Sequence, residues 1–370
     1  MRYQRSLAVL ALATMMFETA CGGSPTSSPG GGDSSAATSA AQGVYDRFNG
    51  MSGQARTDEL VKAAKAEGGL SIYTSNNDIA DLVDAFKAKY GLDVKTYRAS
   101  SEAVLQRILQ EEKANYRGAD IVETNSGEMN VLSSDGYLYP YKSEYREKVR
   151  PQGLKDNWTA DRFNAFVVGW NTNRVPAGEE PTSLEDLADP RWKGKLAMEI
   201  AEVDWFASLT KYWLEHGKTQ EEVDRLFDAI AANAKITKGH TATGELLAAG
   251  QYGVFVSAYT QNIDGKAAKG APVSWHPANG TPVQPITLRP NGFGLMKDAA
   301  HPASALLFAD FLLTEGQDAL EELHRIPSVL RENDPLAGLD LIEAPEEDLL
   351  TNSAEWSARY QKVTQQAGQH

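Results

Sequence analysis

The sequence predicts an α/β protein built as two lobes, and three observations support this class. The chain has 370 residues, which is more than the roughly 100–200 residues of an ordinary domain. Between residues 56 and 127, short apolar strands alternate with amphipathic helices, and a second block of the same kind begins near residue 164. Such alternation is typical of mostly parallel sheets that are covered by helices on both faces.

The first block reads as helix, strand, helix, strand, helix, strand. Its six segments are "RTDELVKAAKAEG", "GLSIYTSNND", "NDIADLVDAFKAKYG", "LDVKTYRASS", "SEAVLQRILQEEKA" and "ADIVETNSG". The helices repeat apolar residues at three- and four-residue spacing, and two of them end near glycine. Each strand ends in polar residues, and ligands of such sheets bind beyond the carboxyl ends of the strands.

The second block contains a strand, then a strand and helix, then two more helices and a strand. Its segments are "NAFVVGWNTNRV", "KGKLAMEIAEVDWFASLTKYWLEHG", "TQEEVDRLFDAIAANA", "TATGELLAAG" and "YGVFVSAY". After it, "ITLRPNGFGLMKDA" reads as strands punctuated by Pro290 and Gly292, and "HPASALLFADFLLTEGQDALEELHRIP" as two helices. No repeat of fixed period is present, so we do not expect a solenoid.

The first residues predict export and anchoring. Arg2 and Arg5 precede the apolar run 7–17, which is too short to cross a bilayer but suits a signal peptide. Cys21, the only cysteine, follows this run in "FETACGGS" and resembles a lipidated lipobox cysteine, although Glu18 departs from that pattern. We therefore predict a signal peptide at 1–20, and a lipidated Cys21 with a flexible Gly/Ser/Pro-rich tether at 21–55; an incidental free cysteine is the alternative.

Composition excludes several classes. With 36 Lys and Arg against 50 Asp and Glu, the net charge is −14, which argues against nucleic acid as a partner. A single cysteine allows no internal disulfide. The motifs G-x-S-x-G and H-E-x-x-H and a phosphate-binding P-loop are absent, and the six histidines lack metal-ligand spacing. We therefore expect no enzyme; a secreted hydrolase and a scaffold module are the alternatives from other classes.

Five segments together resemble the extracytoplasmic solute-binding proteins of ABC importers, in particular the branch of ferric-iron-binding proteins. They are "LSIYTSNNDIADLVDAFKAKYGLDV", "GADIVETNSGEMNVLSSDGYL", "PTSLEDLADPRWKGKLAM", "TATGELLAAGQYGV" and "NGFGLMKDAAHPASALLFADFLLTEGQDAL". The resemblance implies a type II periplasmic-binding-protein fold, with a ligand cleft between two α/β lobes. The first lobe would comprise 56–164 and 287–370, and the second 165–286. Hinge strands are expected near 166–171 and 286–289.

The resemblance also implies function. A small solute, anionic or polar and organic, would bind in the cleft and pass to membrane permease subunits of an ABC importer. We expect a monomer without cofactor, anchored by its lipid to the outer face of the cell membrane or located in the periplasm. The lobes of such proteins close on the ligand by a hinge motion.

Polar clusters at strand ends and helix starts supply the candidate ligand-binding residues. Helix N-termini attract anions. Simple capping accounts better for any one cluster taken alone, but the implied fold would make all of them face one cleft, which favours ligand contact for some of them. The candidates are Thr74, Ser75, Asn76, Asn77, Ser100, Ser101, Asn125, Ser126, Glu199, Asp204, Trp205, His240, Thr241, Thr243 and Tyr259.

Tyr259 decides between an organic solute and iron. In the ferric-binding relatives that the sequence resembles, two adjacent tyrosines bind iron with a histidine and a glutamate. Here Thr260 follows Tyr259, and asparagines stand near the other two ligand positions. Ferric iron needs anionic oxygens, so we predict a non-metal ligand. Transported Fe³⁺ held by Tyr259, Glu199 and Asp204 is the alternative.

Overall fold

The computed structural model describes residues 34–367. The predicted signal peptide and Cys21 lie outside the described residues. No helix within 34–367 combines the length and the apolar character that crossing a membrane requires.

Helices and strands alternate along most of the chain. The helices are α1 (Ser34–Asn49), α2 (Gly53–Glu67), α3 (Ile79–Tyr90), α4 (Ser101–Lys113), α5 (Ser126–Ser134), α6 (Val203–Glu215), α7 (Gln220–Asn233), α8 (His240–Ala248), α9 (Thr260–Ala267), α10 (Pro302–Leu312), α11 (Glu315–Glu322), α12 (Glu346–Thr351) and α13 (Ser353–Gln365). The strands are β1 (Leu70–Thr74), β2 (Val94–Arg98), β3 (Ile121–Asn125), β4 (Leu138–Tyr139), β5 (Thr159–Asn171), β6 (Leu196–Glu199), β7 (Ala234–Thr237), β8 (Val254–Tyr259), β9 (Val273–Ser274), β10 (Ile286–Met296), β11 (Ile326–Pro327) and β12 (Leu341–Glu343).

One sheet runs through the molecule in the order β2-β1-β3-β10-β5-β8-β6-β7. At one end β1 pairs in parallel with β2 and β3, and at the other β6 pairs in parallel with β7 and β8. In the centre, β5 and β10 pair antiparallel with each other, β10 pairs antiparallel with β3, and β5 pairs antiparallel with β8. The predicted α/β class with two parallel regions is therefore confirmed, and β5 and β10 are the strands that connect them.

Strand β5 divides its side chains between two hydrophobic cores. Phe163 and Ala165 belong to one core, together with residues of β1, β3 and α10. Phe166, Val168 and Trp170 belong to the other, together with residues of α6, α7 and β8. Since successive side chains of a strand point to opposite faces, alternate residues of one strand contribute to both cores.

Helix α1 corrects the predicted tether. Residues 21–55 were expected to be flexible, but Ser34–Asn49 are helical. Ala41, Tyr45 and Phe48 recur at helical spacing and are buried in the first core, and the Tyr45 hydroxyl donates to the Met296 carbonyl at 2.9 Å. These three residues give the segment an apolar stripe that its Gly/Ser-rich beginning lacks.

Helix α13 also packs differently from the prediction, which placed 287–370 in the first lobe. Trp356, Tyr360 and Val363 complete the second core. The reason is their four- and three-residue spacing, which puts the only buried residues of α13 on one face.

Candidate functional site

A cavity of about 760 Å³ lies beside the connecting strands and collects side chains from both parallel regions of the sheet; we call it the cleft. Ten of the predicted ligand-binding residues line it: Ser75, Asn76, Asn77, Ser100, Ser101, Asn125, Glu199, His240, Thr241 and Tyr259. They come from the carboxyl ends of the parallel strands and from the loops and helix starts that follow, which is where ligands of such sheets bind.

The other five predicted residues lie elsewhere. Thr74 is buried and donates its hydroxyl to Glu123. Thr243 is buried and donates to the Gly239 carbonyl at 3.0 Å, within the first turn of α8. Trp205 packs edge-on against Phe227 in the second core, with ring centroids 5.8 Å apart.

Ser126 and Asp204 line a neighbouring cavity of about 440 Å³. Glu102, Glu128 and Glu346 line the same cavity, together with apolar residues of α5 and α12. Sequence reasoning grouped Ser126 with Asn125 because they are adjacent, but the first residue of a helix and its cap face different directions. Only the cap reaches the cleft.

Five helices begin at the cleft. The residues that cap α3, α4, α5, α8 and α9 are Asp78, Ser100, Asn125, Gly239 and Tyr259, and all five line the cavity. Each helix N-terminus leaves backbone N–H groups unpaired and carries about half a positive charge. The helix termini therefore contribute positive potential to the cleft that does not depend on any one side chain.

Tyr259 lies between two aromatic rings. Its ring stacks on His240 with centroids 3.5 Å apart and an interplanar angle of 15°, and it meets Phe166 edge-on at 5.0 Å. Its hydroxyl donates to Glu202 Oε1 at 3.3 Å and accepts from the Arg289 guanidinium. Only 8% of Tyr259 is exposed. The residue both packs and bonds, so its phenol is already engaged with protein groups.

Arg289 is the positively charged group that Glu202, Asp204 and Tyr259 share. Its Nη1 lies 3.6 Å from both Glu202 and Asp204, and its guanidinium stands over the rings of Phe166 and Tyr259. These anionic and phenolic partners outweigh burial and raise the pKa of Arg289. The guanidinium stays charged.

Arg289 acts to lower the pKa of both Glu202 and Tyr259, but the net shifts of the two groups have opposite directions. Burial acts to raise the pKa of Glu202, but His240 and Arg289 outweigh it, so the pKa lies below its ordinary value. Burial raises the pKa of Tyr259 well above 10, although Arg289 opposes this. The site thus contains a carboxylate, a neutral phenol and a guanidinium at neutral pH.

The last residue of β6 and the loop that follows it supply two of the cleft glutamates, Glu199 and Glu202. Glu199 accepts from the backbone N–H groups of Ala201 and of Gly239, the latter at 2.8 Å. Glu202 contacts His240 Nε2. Gly239 has φ 88° and ψ 120°, a conformation that essentially only glycine adopts. This backbone conformation thus places Gly239 and His240, at the start of α8, in contact with Glu199 and Glu202.

Four arginines line the cleft, and sequence reasoning missed all of them: Arg98, Arg162, Arg289 and Arg325. Arg162 pairs with Glu123 and Asp161, and Arg325 with Asp78. Arg98 is exposed, and its guanidinium donates to the side-chain oxygen of Asn77, which carries no charge. A charged residue at the polar end of a strand is a signal that could have revealed Arg98.

Glu199, Glu202 and His240 could also hold a metal ion. One ligand atom from each lies within 4.8 Å of the others, and Nδ1 of His240 and Oε2 of Glu202 make no hydrogen bond. Carboxylate oxygens and imidazole suit several transition metals. Asp204, by contrast, lines the neighbouring cavity, apart from Glu199, its expected partner.

Comparison of the sequence with curated proteins finds iron-transport relatives. The chain is 26% identical over 195 residues to the Fe(3+)-binding periplasmic protein of Serratia marcescens, covering 51% of this chain and 56% of that protein. It is 24% identical over 261 residues to iron uptake protein A2 of Synechocystis, covering 66% and 73%. The alignment with the first relative thus spans about half of its length.

Solved structures share the fold. Iron-bound HitA from Pseudomonas aeruginosa matches with a TM-score of 0.67 and 22% identity, covering 80% of this chain and 99% of HitA. AfuA from Actinobacillus pleuropneumoniae, with fructose-6-phosphate bound, matches with 0.66 and 21%, covering 80% and 99%. These neighbours are two-lobed type II periplasmic binding proteins, so the predicted fold is confirmed.

The family profile described as "Bacterial extracellular solute-binding protein" matches residues 119–343, which is more than half of the chain. The matched region includes β3, both connecting strands and the residues Glu202, His240 and Tyr259. The chain belongs to this family of bacterial extracellular solute-binding proteins.

Proposed function

We propose that this protein is the solute-binding component of an ABC importer and that it captures a small anionic organic molecule in the cleft. One observation carries the choice of ligand: five helix N-termini converge on a single cavity of about 760 Å³ that four arginines also line. Anions are stabilised at helix N-termini by the backbone N–H groups and the helix dipole. Such a cavity is large enough for a small organic molecule.

The charge distribution suggests how the solute lies. Arg98 and the start of α4 offer positive charge at one side of the cleft, where Ser100 and Ser101 supply hydrogen-bonding groups. Glu199 and Glu202 are acceptors at the other side. We expect the anionic group near Arg98 and hydroxyl or amine donors near the glutamates. AfuA, of similar fold, contains fructose-6-phosphate, a solute of this general kind.

Ferric iron is the second candidate, favoured by the grouping of Glu199, Glu202 and His240 and by the names of the curated relatives. Two features speak against it. The Arg289 guanidinium already neutralises Glu202 and bonds to Tyr259, and its positive charge would repel a trivalent cation. The raised pKa of Tyr259 also disfavours the phenolate that iron requires.

The remaining parts of the proposal concern the whole protein. It would act without catalysis, as a monomer, and deliver its solute to permease subunits. Cys21 would carry the lipid that keeps the protein at the outer face of the cell membrane or in the periplasm. Membrane fractionation of the native host tests the anchor: Cys21→Ala should move the protein to the soluble fraction, and an unprocessed precursor in the wild type would contradict it.

Native mass spectrometry of protein purified without denaturation tests the ligand. A bound anionic organic molecule is expected, and isothermal titration calorimetry then compares fructose 6-phosphate, the solute found and ferric citrate. Arg98→Gln should weaken binding of the anion about tenfold or more by removing a charged hydrogen bond. Arg225→Gln is the matched control, because Arg225 lies on the exposed side of α7 and pairs with Glu221 at 2.6 Å. Tight binding of iron alone, unaffected by Arg98→Gln, would overturn the proposal.

A further inference from the structure

The C-terminal helices α12 and α13 begin at residue 346, beyond the family match that ends at 343. The chain reaches them through β12, which pairs in parallel with the start of the connecting strand β10. This places the segment directly against the strands that join the two halves of the sheet. Because the cleft lies beside the same strands, the position of this segment can affect the residues that line the cleft.

Helix α13 is bound firmly to the second core. Trp356 meets Phe206 edge-on with centroids 5.9 Å apart, and Tyr360 packs on the same ring at 5.5 Å. Arg359 stands over the rings of Phe206 and Trp356 and contacts Asp224 of α7 at 3.3 Å. The helix therefore has a fixed position relative to α6 and α7.

Helix α12 links this packing to the other half of the molecule. Trp356 Nε1 of α13 donates to Asp348 Oδ2 of α12 at 2.8 Å. Helix α12 packs against α5, and its first residue, Glu346, pairs with Lys155 at 2.8 Å. The two helices together thus touch elements on both sides of the connecting strands.

The Tyr360 hydroxyl contacts the backbone of Glu199, a residue that lines the cleft. It donates to the backbone carbonyl of Glu199, and only 1% of the residue is exposed. On the other side, the Glu199 carboxylate accepts from the N–H groups of Ala201 and Gly239, and the Ile200 N–H donates to the Thr237 carbonyl at 3.0 Å. Glu199, the first residue of segment 199–202, is therefore held both through its backbone carbonyl and through its carboxylate.

We propose that Tyr360 is a positioning residue of the binding site: its hydroxyl fixes the loop 199–202, so that Glu199 and Glu202 face the cleft with the start of α8 aligned against them. The C-terminal helices then form part of the ligand-binding apparatus and not an appendage to it. This inference rests on the proposed function only in taking the cleft as the solute site. The positioning itself exists in the protein without solute.

The phenol hydroxyl is separable from the phenol ring. The ring supplies the packing against Phe206, and phenylalanine at this position would retain it. The hydroxyl donates to the buried Glu199 carbonyl, and removal of a donor from a buried acceptor costs free energy. Burial, reinforced by Glu202 and Glu199, raises the pKa of Tyr360 well above 10, so the hydroxyl keeps the proton that it donates.

Hydrogen–deuterium exchange of the ligand-free protein tests the inference with Tyr360→Phe. Exchange is expected to accelerate about tenfold in peptides that cover 199–202 and Gly239, as one lost hydrogen bond implies. Val363→Ala is the matched control, because Val363 is buried in the same core on the same helix but makes no bond to the loop. It should lower the melting temperature and leave exchange of the loop unchanged.

A double variant distinguishes loss of positioning from general destabilisation of the protein. In a Glu199→Gln background the loop has already lost its charged bonds to Ala201 and Gly239, so adding Tyr360→Phe should change exchange at Gly239 much less than in the wild type. Equal exchange in wild type and Tyr360→Phe, or equal acceleration in Val363→Ala, would overturn the inference. Neither result depends on the solute, so failure of the proposed function is a separate outcome.

Discussion

Tyr259 shows how one side chain can combine packing with a polar contact at the mouth of a strand. Its ring stacks on His240, and its hydroxyl lies between Arg289 and Glu202. Because burial keeps the phenol protonated, it can offer hydrogen bonds at neutral pH but not a negative charge. This combination fits an organic ligand better than a hard metal ion.

Tyr259→Phe should therefore weaken binding of the organic solute about tenfold and not abolish it, because the ring is kept and only the hydrogen bonds of one hydroxyl are lost, each worth about 0.5–1.5 kcal/mol. Isothermal titration calorimetry measures the change, with Tyr116→Phe as a control at an exposed position. A wild-type protein that turns coloured with ferric citrate, and a Tyr259→Phe variant that stays colourless, would establish the iron site instead.

Gly239 adopts a backbone conformation that the sequence alone did not predict. At φ 88° and ψ 120°, alanine would be strained by about 1–3 kcal/mol, although its Cβ would meet no atom within 4 Å. We expect Gly239→Ala to lower the free energy of unfolding in urea by this amount and to weaken solute binding.

Gly43→Ala serves as the contrast for Gly239→Ala. Gly43 lies inside α1, also with no atom within 4 Å of an added Cβ, and alanine there should stabilise the helix by about 0.5–1 kcal/mol. If both substitutions changed the free energy of unfolding alike, the strain assigned to Gly239 would be wrong.

Among the elements, α5 carries an unusual carboxyl group into the neighbouring cavity. Burial raises the pKa of Glu128 to about 7, and the carboxylates of Glu102 and Asp204 add to this, while Arg289 opposes it. In the unfolded chain the pKa returns to its ordinary value near 4.5. Between these two values the folded state binds more protons, so the free energy of unfolding should fall as pH rises.

Glu128→Gln removes this titration. We expect the variant to be more stable than the wild type by about 1–2 kcal/mol at pH 8 and to gain much less at pH 5. Urea unfolding at both pH values measures the difference, with Glu147→Gln, at an exposed position, as control. A gain of equal size at pH 5 and pH 8 would show that Glu128 is not protonated by folding.

Most helices and strands could be predicted from local periodicity, whereas the residues that pack or pair with them in the fold could not. The strands that end in "TSNND" and "VETNSG" lie as expected at the cleft, because polar strand ends leave a clear pattern. Helix α1 was missed since its three buried residues follow a Gly/Ser-rich stretch. Arg162 and Arg289 were missed because both lie within long buried strands, where only the distant neighbours decide that a charge is tolerated.

For the molecule as a whole, the expected consequence of solute binding is lobe closure with a gain in stability. A ligand that binds only the folded state adds about 2.7 kcal/mol to the free energy of unfolding at a concentration 100 times its Kd. Small-angle scattering should show a smaller radius of gyration with solute than without. Arg98→Gln at the same solute concentration should show less of both effects, and scattering curves that stay identical with a bound solute would contradict closure.

The two connecting strands impose a mechanical condition on that movement. All 13 residues of β5 and all 11 of β10 are buried, and the strands are hydrogen-bonded to each other with a register shift at Asn291/Gly292. These paired strands connect the lobes, so we expect movement of the lobes to change the twist of this ribbon. A twisted ribbon resists further winding, as a torsion spring does, and the pairing of this ribbon is irregular at Asn291/Gly292. Closure on the solute would then store elastic energy in the ribbon, and this energy would favour reopening of the lobes and release of the solute.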